Sequence, residues 1–211
     1  MYRSVIVAIG ICLLLLGCDS KASNEVGYGT IVNGVYENKY FNMTVKLPAE
    51  WVVQSQAAQQ EMTEAGASLL AGEDDNLKNV IKEAQKNTIS FFTLFKYEQG
   101  TPVPFNPSFI SLAERMSGFP GIKSGTDYHF HARKLLESGQ LKYDFPNEIY
   151  TKDVSGVTFD VMPAQTAIGG TIIYQEYYAA KKMDYVLLFV LTYSSDMERD
   201  ELNEIMSSVK F

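Results

Sequence analysis

The sequence predicts an α+β domain in which a largely antiparallel sheet is covered by helices on both faces. Three observations predict it. Two segments, Thr88–Tyr97 and Tyr185–Tyr193, carry apolar side chains at alternate and at intervening positions, so both faces of each strand need cover. Several other segments carry apolar stripes at helical spacing. The last third of the chain reads as consecutive strands closed by one capped helix.

The elements follow in order. Arg3, the unbroken apolar run Val5–Leu16 and the small residue Gly17 have the three parts of a secretory signal. The 12 apolar residues reach ~18 Å as a helix, short of the ~30 Å hydrocarbon core, so a spanning anchor is not expected. Asp19–Gly29, "DSKASNEVGYG", is short, polar and glycine-containing, and with Cys18 it reads as a tether of at most ~3.5 Å per residue. A single domain is expected over 30–211. It opens with a hairpin: Thr30–Glu37, a polar turn at Asn38-Lys39, then Tyr40–Leu47, with Trp51-Val52-Val53 as a short third piece.

Met62, Ala65, Leu69 and Leu70 mark one helix, and Leu77, Val80, Ile81 and Ala84 a second. Gly72 ends the first, and Asp74 or Asp75 caps the second. In the strand Thr88–Tyr97, strict alternation sets Phe91, Thr93, Phe95 and Tyr97 against Phe92 and Leu94. Thr101–Pro107 is a proline-rich loop, and Phe109–Met116 extends as a strand. Tyr128, Ala132, Leu135 and Leu136 stripe a helix from about Gly125 to Ser138. Glu148–Val154, Thr158–Met162 and Thr171–Ala180 read as strands leading to Tyr185–Tyr193, the best candidate for a central strand. Ser195-x-x-Glu198 forms a capping box, and Leu202, Ile205, Met206 and Val209 stripe the final helix.

Leu15-Leu16-Gly17-Cys18 resembles the lipobox of bacterial lipoproteins. The resemblance implies cleavage between Gly17 and Cys18 and lipidation of Cys18, including an acyl chain such as palmitate. One acyl chain holds a bilayer only marginally, whereas several hold stably. Asp19 resembles the inner-membrane retention signal of enteric lipoproteins, which favours the periplasmic face of the inner membrane. Two further segments, "VYENKYFNMTVKLPAEW" (Val35–Trp51) and "YVLLFVLTYSSDMERDELNEIMSSVKF" (Tyr185–Phe211), look like the opening and closing units of PsbP-like domains. That family implies an α/β/α sandwich around an antiparallel sheet. It includes a photosystem II subunit, a Ran-binding import factor and bacterial envelope lipoproteins. It implies no shared catalytic residue.

Charge and cysteine usage narrow the function classes. Losing residues 1–17 removes Arg3, so 17 of the 18 Lys and Arg remain against 25 Asp and Glu, a formal charge of −8. That acidic balance, without a Lys/Arg cluster, lacks the footprint of nucleic-acid binding. Only Cys12 and Cys18 exist; the first leaves with the signal and the second takes the lipid, so no thiol remains for metal or redox chemistry. His129-x-His131 has no evident third ligand, and on a helix the two rings diverge. The apolar stripe sets His131 inward and His129 outward. Glu73-Asp74-Asp75 lacks the alternation of a calcium loop and is explained by helix capping. There is no G-x-S-x-G and no phosphate-binding glycine loop; Gly169-Gly170 reads as a turn. No metal, cofactor or catalytic site is therefore expected. Tyr174, Tyr177 and Tyr178 are a possible partner surface, with Tyr174, Glu176 and Tyr178 on one strand face and Gln175 and Tyr177 on the other. The expected function is a lipid-anchored, non-catalytic envelope protein that binds another envelope protein. The alternative is a binder of a small apolar ligand between sheet and helices.

Overall fold

The computed structural model describes residues 26–211; Gly17, Cys18, Asp19 and the rest of the proposed signal and tether up to residue 25 lie outside them. Fourteen elements follow in chain order: β1 (Thr30–Val32), β2 (Val35–Asn38), β3 (Met43–Lys46), β4 (Val52–Val53), α1 (Gln56–Ala71), α2 (Asp75–Gln85), β5 (Thr88–Phe95), β6 (Ser108–Arg115), α3 (Gly125–Ser138), β7 (Tyr150–Val154), β8 (Val157–Ile168), β9 (Thr171–Lys182), β10 (Tyr185–Tyr193) and α4 (Asp196–Ser207). Seven strands form one sheet in the order β4-β5-β6-β10-β9-β8-β7, antiparallel throughout. β1-β2-β3 form a small second sheet.

β10 is central, as its doubly apolar pattern requires. One face meets α4 and the small sheet: Leu187, Phe189 and Leu191 pack with Phe109, Phe159, Tyr178, Leu202 and Met206, and with Tyr36, Phe41 and Met43. The other face meets α3, where Val186, Leu188 and Ala179 pack with Tyr128 and Leu112. α1 shares this second face over β5, where Thr93 Oγ1 donates to Gln59 Oε1 at 3.4 Å. This is an α/β/α sandwich. α4 is fastened at its C-terminal end by the paired bonds between Thr44 and Lys210, both 2.9 Å.

The structure corrects several sequence expectations. The first hairpin is a three-stranded meander: Asn33 and Gly34, at φ 51° and 73°, turn the chain inside what reads as a single strand. Two left-handed residues in a two-residue loop match the right-handed twist of the flanking strands, and only Asn, Asp and Gly enter that region readily. In β5 a bulge between Ser90 and Phe92 breaks the alternation. Phe91 and Phe92 therefore face the same core and both contact Tyr36, with ring centroids 6.0 and 4.7 Å away. β8 runs six residues past Met162, continuing through Pro163. Gln165 exchanges both backbone bonds with Asp144 on the outer side, so Pro163, two residues earlier, also turns its nitrogen outward where no donor is needed.

The histidines are reversed. His129 is 0% exposed and His131 is exposed. Gly125 and His129 are the buried residues of α3, with Ala132 and Leu136 half-buried along the same line, because Gly125 lets the helix start directly against the sheet. A Cβ at that position would stand 2.2 Å from the Ala179 carbonyl oxygen.

Candidate functional site

An open cleft of about 500 Å³ lies at the far end of β8, β9 and β10. It arises from a mismatch in length. β7 pairs only with Val157–Val161, whereas β8 and β9 continue together to Ile168 and Thr171. α4 begins beyond β10, so its first turn walls the cleft instead of roofing it. Pro163, Gln165, Tyr174 and Glu176 make the floor, Tyr193 and Arg199 one wall, and Pro146, Asn147 and Tyr150 the other.

Strand periodicity brings the chemistry together. Tyr174, Glu176 and Tyr178 alternate onto one face of β9, opposite Gln165, Pro163 and Val161 on β8. β10 sets Tyr193 directly beside Tyr174, and their rings stack at 5.7 Å and 21°. β7 sets Tyr150 opposite Val161 on the same face. Glu176 is the focus: Tyr178 donates to Oε2 at 2.9 Å and Tyr193 to Oε1 at 3.1 Å. Lys152 Nζ donates to the Tyr178 hydroxyl at 3.1 Å from behind. Arg199 is held on α4 by Asp196 at 3.1 Å and by Asp200 at 3.7 Å.

Burial, then the Glu176 charge, pushes the hydroxyls of Tyr150, Tyr178 and Tyr193 above the ordinary phenol range. They stay protonated at neutral pH, and Tyr178 and Tyr193 donate to Glu176. Among the described residues no group of three His, Cys, Asp or Glu is placed to hold a metal ion, and no helix is long and apolar enough to cross a membrane.

The three tyrosines singled out in the sequence part company. Tyr174 lines the cleft. Tyr177 lies on the opposite face, its hydroxyl donating to Gln175 Oε1 at 2.7 Å and raised well above its usual range by burial and by Tyr143. Tyr178 corrects the expectation of a surface position: it is 0% exposed, because β9 lies between β8 and β10 and this ring stands under α4 against Phe159. Sequence reading missed Tyr150, Tyr193, Glu176 and Arg199 as a group. The available signal was that Tyr193 and Tyr174 occupy matching ends of adjacent strands.

No protein-family model matches the chain, and no curated protein matches it by sequence. Among solved structures, the solution structure of the cyanobacterial PsbP protein CyanoP from Synechocystis sp. PCC 6803 matches at a TM-score of 0.51 and 10% identity, over 86% of this chain and 94% of that one. The fold is PsbP-like. Two further structures are more distant. LpqN of Mycobacterium tuberculosis, described as involved in cell envelope biogenesis, matches at 0.47 and 11% identity over 80% of this chain and 82% of that one. PA94 of Pseudomonas aeruginosa, of unknown function, matches at 0.40 and 14% identity over 53% of this chain and 78% of that one. The likeness is one of fold.

Proposed function

We propose that the chain is a lipid-anchored envelope protein, held through Cys18, whose PsbP-like domain acts by non-catalytic binding of another envelope protein. The observation that carries the binding reading is the tyrosine-lined cleft. It is open, it exposes Tyr150 (42%) at its rim, and the Tyr193 hydroxyl on its wall is committed to Glu176. Tyrosine supplies large, rigid contact area with a polar tip, which suits a protein partner. The small apolar ligand is the weaker reading, because Glu176, Gln165, Asn147 and Arg199 share the lining and the cleft is not enclosed. Lipid confinement would concentrate the domain near membrane-bound partners without any new contact.

The test places a photo-crosslinking residue at Tyr150 in cells and repeats it at Lys78, on exposed α2. The expected result is one light-dependent protein adduct from position 150, absent from position 78 and lost in Cys18→Ser. Adducts to lipid alone, or the same adducts from both positions, would reject the reading. Mass spectrometry of the native N-terminus checks the anchor: an unmodified Cys18 thiol or a retained leader removes it.

A further inference from the structure

We propose that the cleft receives a basic side chain of the partner, arginine in preference to lysine; this rests on the protein-binding reading above. The lining holds one carboxylate, Glu176, and one guanidinium, Arg199, and Arg199 is already engaged by Asp196 and Asp200 outside the cleft. Among the described residues no lysine or arginine nitrogen comes within 4.0 Å of the Glu176 carboxylate. Its charge is solvated by tyrosine hydroxyls and is not neutralised by an ion pair.

Hydrogen-bond accounting then selects the ligand. A carboxylate offers about four acceptor positions, and Tyr178 and Tyr193 occupy one on each oxygen. The two that remain suit a donor that brings charge and needs few bonds. An anion would meet the Glu176 carboxylate, and Arg199, the cation of the lining, is already paired with Asp196 and Asp200. An ammonium is strongly hydrated and would leave donors unpaired. A guanidinium is planar, weakly hydrated and stacks on aromatic faces, and the cleft supplies Tyr150 and the stacked pair Tyr174–Tyr193. About 500 Å³ accommodates such a side chain with its flanking backbone.

The experiment titrates the full-length protein, purified from membranes in detergent, with N-acetyl-arginine amide and with N-acetyl-citrulline amide, its neutral isostere, following tyrosine ring resonances. Arginine should bind about tenfold or more tighter than citrulline, with N-acetyl-lysine amide in between. Glu176→Gln should remove that discrimination, its amide oxygen still accepting one of the two tyrosine bonds. Tyr150→Leu, at an exposed rim where folding is not at stake, should weaken arginine binding. Equal binding of arginine and citrulline, discrimination that survives Glu176→Gln, or no binding of either would overturn the inference. Should neither amide bind while position 150 still crosslinks one protein, only the charge inference fails. Should crosslinking capture no protein, the binding reading fails and this inference with it.

Discussion

Gly125→Ala probes the contact on which the α3 layer depends. The added methyl would sit 2.2 Å from the Ala179 carbonyl oxygen, 2.9 Å from its carbon and 2.9 Å from Asp160 Oδ2. Two of these are sheet backbone atoms that cannot swing aside, so the first turn of α3 must lift by on the order of 1 Å. Lifting stretches two bonds that fix the helix to the sheet: Thr126 N–H to Asp160 Oδ2 at 2.7 Å, and His129 Nε2 to the Asp160 carbonyl at 2.9 Å. Overpacking costs ~1–3 kcal/mol, and weakening a bond to a charged acceptor ~1.5–3 kcal/mol. Because the lift relieves one as it incurs the other, the expected total is about 3 kcal/mol. With a urea m-value of about 2 kcal/mol/M, the midpoint should fall by about 1.5 M, read by far-UV circular dichroism. Gly118→Ala is the control: its Cβ would meet nothing within 4 Å and its φ is ordinary, so its midpoint should not move. A Gly125→Ala midpoint within ~0.2 M of the parent would refute the claim that α3 is seated by direct backbone contact.

Further outcomes test other parts of the fold. Burial holds the His129 imidazole below its ordinary pKa, and its Nδ1 has no partner. The unfolded chain then takes up a proton near pH 6.5 while the folded one does not, so stability is full above ~6.5 and declines as pH falls through the folded value. His129→Gln should flatten that decline in urea midpoints; an equal slope would reject it. Ser195→Ala removes the acceptor for Glu198 N–H at the start of α4 and should cost ~1 kcal/mol. Glu198→Ala should cost more, since one oxygen accepts from Ser194 N–H, Ser194 Oγ and Ser195 N–H at 2.7, 2.9 and 3.1 Å. Phe159→Ala, in the core among Tyr178, Phe189 and Phe211, should cost ~3–5 kcal/mol. Phe130→Ala, exposed on α3, should stay within ~0.5 kcal/mol.

Local signals carried well where a single element decides. The two-sided apolar pattern of Tyr185–Tyr193 marked the centre of the sheet, and the Ser195/Glu198 box placed the start of α4. Asp74 and Gly72 fall where capping chemistry puts them. Failures came where one residue changes the period. Asn33-Gly34 is a strong hairpin signal, but it lies inside a run that otherwise reads as one strand. The Phe91-Phe92 bulge adds a residue that no alternation rule anticipates, because it is set by the fit of β5 to β6. In α3 the stripe Tyr128-Ala132-Leu135-Leu136 is centred ~75–85° from each histidine, so periodicity hardly separates them. Gly125, the residue of closest approach, shifts the centre toward His129 and decides the matter.

The cleft lay beyond sequence reading for a different reason: its parts come from β7, β8, β9, β10 and α4, and only unequal strand lengths expose them together. Its position also bears on the anchor. The chain joins the domain at Gly27 and Tyr28, whose carbonyls accept from Asn38 and Tyr36, and Tyr28 lies beside Thr88 and Ser90 of β5. Ser90 is level with Leu188, so Tyr193 stands five residues further along β10, or ~16 Å, while β9 is three strand spacings away from β5, or ~14 Å. The cleft is thus roughly 20 Å from the point where the tether arrives, diagonally across the sheet. Seven residues, Asp19 to Glu25, precede the segment that docks on the domain and span at most ~25 Å. If Cys18 carries the proposed anchor, a tether of that length would let the domain turn its cleft away from the bilayer. Position 150 is therefore the place where contact with protein and contact with lipid give different answers.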